Sequence, residues 1–237
     1  VIRKHNDAKV FHALHFNIPF YIPPGIKLVS NIYDLAYEYT NDAFRTVFHK
    51  IYYKIFFKRT LERSDKIISE LSKKDCKAVI LLGNEKVFSA GLNLKDLMNA
   101  KEKSEVSTIF TTLRNLLVSF RQFPGPVISI VGGHAIAGGC LMALASDYRY
   151  GMFGTHKMGL NEMYIGIDLP SDMLSIISHS ISRDNLFEVA TQCKMYTPKE
   201  AYKKGLINEY IGNPFIGKKR ATAEALKRAK ELAKFYI

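Results

Sequence analysis

The run P-V-I-S-I-V-G-G-H-A-I-A-G-G-C-L-M-A-L-A-S-D-Y-R, Pro126 to Arg149, constrains the fold more than any other feature of the chain. It holds the densest apolar stretch, Pro126 to Ala145, but Gly132, Gly133, His134, Gly138 and Gly139 break it. A membrane-spanning helix needs about 20 uninterrupted apolar residues, and no run here approaches that. The pattern is that of a buried strand over Val127–Val131, a glycine turn, and a buried helix that opens at Gly138 and reaches about Ala145. A second copy precedes it. K-A-V-I-L-L, Lys77 to Leu82, is a short buried strand ending at Gly83. A loop, a turn at Ser89–Gly91 and a helix from near Asn93 follow. Glu105 to Phe120 has the spacing of an amphipathic helix, closed by Pro124-Gly125-Pro126. Strand–turn–helix thus occurs twice, at 77–99 and 127–145, with no fixed-period repeat beyond it. Short apolar strands alternating with helices point to an α/β chain.

The flanks are less regular. Residues 1–45 are aromatic-rich and interrupted by Pro19, Pro23, Pro24 and Gly25, and read as an irregular arm lying over something. Their apolar content argues against simple disorder. Val47 to Phe57 is strand-like, and Leu61 to Ser72 has helical spacing. With no linker dividing the 237 residues, 46–237 reads as a single domain. The formal charge is +12, from 34 Lys and Arg against 22 Asp and Glu. A nucleic acid, an anionic membrane surface, an anionic ligand or assembly, or a plain solvated surface would each account for it. The basic residues are scattered and no zinc spacing or RNP-like motif accompanies them, so specific nucleic-acid readout is unsupported. Cys76, Cys140 and Cys193 are three and far apart, which suggests free thiols in a reducing compartment. The sequence begins at Val1, so a presequence was removed or earlier residues are missing.

Three segments carry the chemistry: V-F-S-A-G-L-N-L-K-D-L-M (Val87 to Met98), the run from Pro126 to Arg149, and M-G-L-N-E-M-Y-I-G-I-D-L-P (Met158 to Pro170). Each alone has an ordinary explanation: a tight turn, close packing of a helix on a sheet, a solvated carboxylate. Both glycine turns follow buried strands and present backbone N–H groups. Those at the start of a helix have no intrahelical partner and carry partial positive charge, which suits them to hold a developing oxyanion. Glycine leaves room for a substrate's carbonyl oxygen to approach.

Together, in this order and spacing, the three segments resemble the signature of the crotonase superfamily of acyl-CoA enzymes. Y-T-P-K-E-A-Y-K-K-G-L-I-N-E-Y-I, Tyr196 to Ile211, resembles the helix–turn–strand that follows its active-site region. The resemblance runs from about Ile51 to Ile211 and implies a crotonase-like ββα spiral with peripheral helices. It implies an oxyanion hole made by the N–H groups of Leu92 and Gly138, and an acyl-CoA site at Ser89, Ala90, Gly91, Asn93, Gly139 and Leu141. Family hydratases use two glutamates, one at the position of Leu141 and one at Glu162. Leu141 cannot transfer a proton, so the pattern is similar to the single-glutamate Δ3,Δ2-enoyl-CoA isomerases of mitochondria. Glu162 would take a proton from C2 of a 3-enoyl-CoA and return it at C4. An apolar surround would raise its pKa toward the working range. The implied substrate is the CoA thioester itself, with no cofactor and no metal, in a mitochondrial homo-oligomer.

The resemblance also has gaps. The Asn-Ala-Leu loop that helps hold the adenosine end of CoA is missing before Leu61. Asn93 stands where Asp is common, and the C-terminal helical region is short. These departures, with the arm, support an alternative: a catalytically reduced structural subunit of a large mitochondrial assembly. Elsewhere, His134 reads as structural, and Asp147 and Arg149 as stabilising a helix end and a neighbouring strand. Cys140 reads as a small buried hydrophobe or a thiol of lowered pKa, and Asp96, Asp168 and Glu209 as solvated.

Overall fold

Strand Val127–Val131 is buried at every position, and the fold is arranged to cover both its faces. The computed structural model describes residues 10–13, 27–30, 78–83, 86–92, 102–212, 215 and 217–235. The expected strand at 47–57, the expected helix at 61–72, Asn93 with the helix expected after it, and Asp96 lie outside these residues.

The described chain repeats one move. β3 (Val79–Leu82) and β4 (Val87–Ser89) precede helix α1 (Lys103–Arg121). β5 (Val127–Val131) and β6 (His134–Ile136) precede α2 (Gly138–Leu144). β7 (Tyr148–Met152) and β8 (Met158–Gly159) then lead into a 3-10 turn, Glu162–Ile165, and helices α3 (Ser171–Ser180), α4 (Arg183–Thr191) and α5 (Pro198–Lys203). β9 (Glu209–Ile211) and α6 (Gly217–Lys234) follow. The first strand of each pair joins one parallel sheet, in the order β3-β5-β7-β9, and the second joins another, β4-β6-β8. Successive turns of the chain therefore stack on one another, as the ββα spiral expectation requires. Within the expected irregular arm two short stretches are regular: β1 (Val10–Ala13) pairs in parallel with β2 (Lys27–Ser30).

Alternation along β5 explains why it is apolar throughout. Val127 and Val131 pack into a cluster with Leu113, Leu116, Leu117 and Phe120 of α1 and Cys140 to Leu144 of α2. Ile128 and Ile130 face the other way, into a cluster with Tyr150, Met152 and α6. That helix contributes Ala221, Ala225, Ala229 and Ala233, all buried. A spacing of four keeps them on one face, and the small side chains let the helix lie close to the sheet. α1 matches the expected helix within two residues at either end. α5 is started by a capping box: the Thr197 hydroxyl accepts from the Glu200 N–H, and the Glu200 carboxylate accepts from the Thr197 N–H.

Asp147 and Arg149 hold the end of α2. The Val127 N–H donates to Asp147 Oδ2 at 2.8 Å. Arg149 donates from Nε to the Leu206 carbonyl and from Nη1 to the Ser146 carbonyl, both at 2.9 Å. Glu209 is not merely solvated as expected. It accepts from Arg228 and from the Tyr148 hydroxyl, pinning α6 to β9 and β7.

Candidate functional site

The two glycine turns meet. β4 ends at Ser89, and the chain turns through Gly91 at φ +82°. A Cβ on Gly91 would sit 2.6 Å from the Gly138 nitrogen, so no larger residue fits, quite apart from the backbone angle. A Cβ on Gly138 would come within 3.6 Å of the Leu92 nitrogen. The Leu92 and Gly138 N–H groups, far apart in sequence, are thereby brought to one place. Behind them, a Cβ on Gly139 would fall 2.0 Å from the Ser89 carbonyl oxygen. The first turn of α2 is pressed against β4 with nothing between. The Ser89 hydroxyl, itself buried, accepts from the Gly91 N–H at 3.2 Å and fixes the first turn.

Ala137, between β6 and α2, has φ 53° and ψ −124°, a conformation that side chains disfavour by about 1–3 kcal/mol. It is held from both sides: its N–H donates to the Gly159 carbonyl at 2.9 Å, and its carbonyl accepts from the Leu141 N–H at 3.0 Å. This strained junction starts α2 at Gly138, whose N–H is one of those no helix can satisfy internally.

Glu162 faces the two turns across a cavity. Leu92, Gly138, Leu141 and Glu162 all line it. Phe110 and Leu113 of α1 and Met173 of α3 supply apolar wall. Glu162 is 9% exposed, and neither carboxylate oxygen has a hydrogen-bond partner among the described residues. Burial pushes its pKa up to about 6; the nearby backbone N–H groups of Glu162 and Asn161 oppose the rise without bonding to it. The 3-10 turn that presents it ends at Gly166, φ 74°, where the Ile167 N–H donates back to the Glu162 carbonyl at 3.0 Å.

The sequence-derived site residues therefore divide. Glu162, Leu92, Gly138 and Leu141 line one cavity. Ser89, Ala90, Gly91 and Gly139 are not among the described residues that line it; Gly91 packs against Gly138, and Gly139 against Ser89. Cys140 is fully buried, and burial raises its thiol above the ordinary range, which leaves the small hydrophobe of the two readings. His134 is structural, its Nδ1 accepting from the Lys157 N–H at 3.1 Å. Two residues escaped the sequence reading. Asp168, expected to be simply solvated, lines the cavity, and nothing in its local pattern signals that. Ala137 carries the strain between Ile136 and Gly138, where an alanine gives no sign of positive φ. Among the described residues no group of three or more His, Cys, Asp or Glu is placed to hold a metal ion.

Known proteins resemble this chain. The chain is 30% identical over 156 residues to a fatty acid oxidation complex subunit alpha of Psychrobacter sp. (strain PRwf-1), covering 64% of this chain and 21% of that protein. It is 27% identical over 143 residues to a probable enoyl-CoA hydratase, echA17, of Mycobacterium avium (strain 104), covering 60% and 55%. The chain thus spans about a fifth and about half of these two relatives. Among solved structures it superposes with a TM-score of 0.65 on an enoyl-CoA hydratase/isomerase family protein of Pseudomonas syringae, at 22% identity, over 73% of this chain and 72% of that one. An enoyl-CoA hydratase of Bacillus anthracis gives a TM-score of 0.65 at 24% identity, over 73% and 65%. These likenesses show the crotonase fold. Residues 66–235 match the sequence model of the enoyl-CoA hydratase/isomerase family, and with the glycine turns, the cavity and the buried carboxylate in place, the chain belongs to that family.

Proposed function

We propose that the chain is an acyl-CoA isomerase that shifts a 3-enoyl-CoA double bond to the trans-2 position with Glu162 as its one proton carrier. The observation that carries the reading is the pairing of an unpartnered, buried Glu162 with Leu141 in the same cavity. A hydratase must hold and activate a water, and a leucine at the facing position offers neither donor nor acceptor. A single carboxylate in an apolar cavity suits proton removal and return on one substrate.

The thioester oxygen would accept from the Leu92 and Gly138 N–H groups. Charge that develops on that oxygen as C2 loses its proton would be stabilised there, in a cavity with a mostly apolar lining. Glu162 takes the C2 proton, the electron pair moves through the enolate to form the C2=C3 bond, and the C3=C4 pair takes the proton back at C4. No atom enters or leaves, which is why one carboxylate suffices. A pKa near 6 leaves the carboxylate mostly ionised at neutral pH, yet strong enough as an acid in its protonated form to return the proton. Activity should fall as pH drops through about 6.

The scaffold alternative has no such support. A buried carboxylate with no partner opposes folding, and a purely structural subunit gains nothing by keeping it. Residence in mitochondria, a homo-oligomeric state, and the division into an arm at 1–45 and a domain at 46–237 belong to the same proposal. The resemblance of the glycine-turn and G-L-N-E segments to the mitochondrial isomerases motivates them.

The test is 3-enoyl-CoA to trans-2-enoyl-CoA conversion by wild type and Glu162→Gln side by side. The amide keeps the size but cannot accept the proton, and loss of general-base catalysis lowers the rate by roughly two to four powers of ten. Equal rates would remove Glu162 from the mechanism. A folded wild type that hydrates trans-2-enoyl-CoA faster than it isomerises the 3-enoyl substrate would overturn the isomerase assignment.

A further inference from the structure

Only two charged side chains line the cavity among the described residues, Glu162 and Asp168; the other lining residues are apolar or glycine. Their environments differ. Glu162 is buried, whereas Asp168 is exposed to solvent. Between them the chain folds back, the Ile167 N–H donating to the Glu162 carbonyl. Asp168 continues into Leu169, Pro170 and Met173, which form apolar wall. Nearby on α3, Asp172 is held in an ion pair by Arg114. Asp168 has no hydrogen bond or ion pair with any described residue, so none of them compensates its charge on the lining of an otherwise apolar space. An exposed carboxylate stays hydrated and costs folding little, but it acts on any charge brought beside it.

We infer that Asp168 is a specificity-determining residue, setting the sign of charge tolerated at the far end of the acyl chain. Resting on the acyl-thioester reading of the cavity above, it disfavours thioesters that end in an anion and favours those that end in a neutral or cationic group. For unit charges ~6 Å apart in near-aqueous surroundings, Coulomb's law gives about threefold for each sign, hence about tenfold between an anionic and a cationic end. Screening by salt should shrink that ratio.

The experiment titrates hexanoyl-CoA, adipoyl-CoA and ε-aminohexanoyl-CoA into the full chain by calorimetry. Wild type, Asp168→Asn and Asp168→Glu are each measured at low and high salt. The quantity read is the affinity ratio of the amino to the carboxy thioester within each protein, so a general weakening of binding cancels. The ratio is expected to fall about tenfold in Asp168→Asn, to be retained in Asp168→Glu, and to be compressed by salt only where the carboxylate is present. An unchanged ratio in Asp168→Asn, with hexanoyl-CoA still bound by both proteins, overturns this inference and leaves the cavity's reading intact. If hexanoyl-CoA binds neither wild type nor Asp168→Glu, the cavity is not an acyl-thioester site and both readings fall.

Discussion

Two buried charged side chains, Arg149 and Glu162, sit in regions built to opposite ends. Arg149 is 3% exposed, and its guanidinium bonds the carbonyls of Ser146 and Leu206, closing the end of α2 onto the turn before β9. Burial still lowers its pKa, to about 10, but it remains charged at any ordinary pH. Glu162 is 9% exposed, and its carboxylate bonds nothing among the described residues. The first region spends its charge on joining elements; the second keeps its charge available. The difference gives a working rule for this fold. A buried charge with its hydrogen bonds filled is structural, and one left unfilled beside strained backbone and a cavity is held for a substrate.

The rule breaks most visibly if Arg149 carries chemistry. Arg149→Met should cost about 3–5 kcal/mol of stability in urea unfolding, because two buried carbonyls lose their donor and the methionine returns only part of the packing. The fraction that remains folded should isomerise at the wild-type rate. A variant as stable as wild type but slow in turnover would place Arg149 on the wrong side of the comparison.

His156 is the harder case. It is 4% exposed, and neither ring nitrogen has a hydrogen-bond partner among the described residues, yet it lies outside the cavity. Burial lowers its pKa to about 4, helped by Lys218 and His134 and opposed by the nearby Val131 carbonyl. The folded protein therefore binds this proton less readily than the unfolded chain does. Its contribution is fully present above about 6.5 and is lost as pH falls toward about 4, by at most ~3 kcal/mol. Unfolding midpoints of wild type and His156→Leu across that window test it. A variant with the same acid sensitivity as wild type would show that His156 is already charged or solvated in the folded state.

The smallest expected effect has the opposite sign. The folded-state pKa of Glu162 is raised from 4.5 to about 6, so the folded protein binds its proton more readily than the unfolded chain does. That preference is fully felt at low pH and disappears as pH rises through about 6, leaving the ionised protein up to ~2 kcal/mol less stable than a neutral counterpart. Glu162→Gln should then be the more stable protein at neutral pH, and the advantage should vanish near pH 4. A destabilised variant would mean that the carboxylate has found a partner after all, and the contrast with Arg149 would close.

Much of the scaffold could be read along the chain. The strand over Val127–Val131, the helix opening at Gly138, α1 and the α5–β9 unit all have local causes: an apolar run, a glycine turn, a helical period, a Thr-Pro-Lys-Glu start. The core of the site was legible for the same reason, since Gly91, Gly138 and Glu162 each sit in a short segment with its own pattern. The sheet partners were not, because stacking β4 on β6 and β3 on β5 is a matter of register between distant strands. Nor was the alanine stripe of α6 visible as a sheet-facing surface, because alanine suits either side of a helix.

By itself, then, the sequence determined where the two glycine turns fall and that one glutamate, not two, accompanies them; both follow from residue type at a position. The tertiary structure alone decided what those groups face. It brought the Leu92 and Gly138 N–H groups together, pressed Gly139 against Ser89, and set Asp168 on the cavity lining. It also gave Arg149 its two carbonyls, one of them 57 residues away, and gave Glu162 none. Burial and hydrogen bonding are properties of neighbours in space. A carboxylate's pKa and its use depend on those neighbours, so they appear only when the turns of the spiral stack.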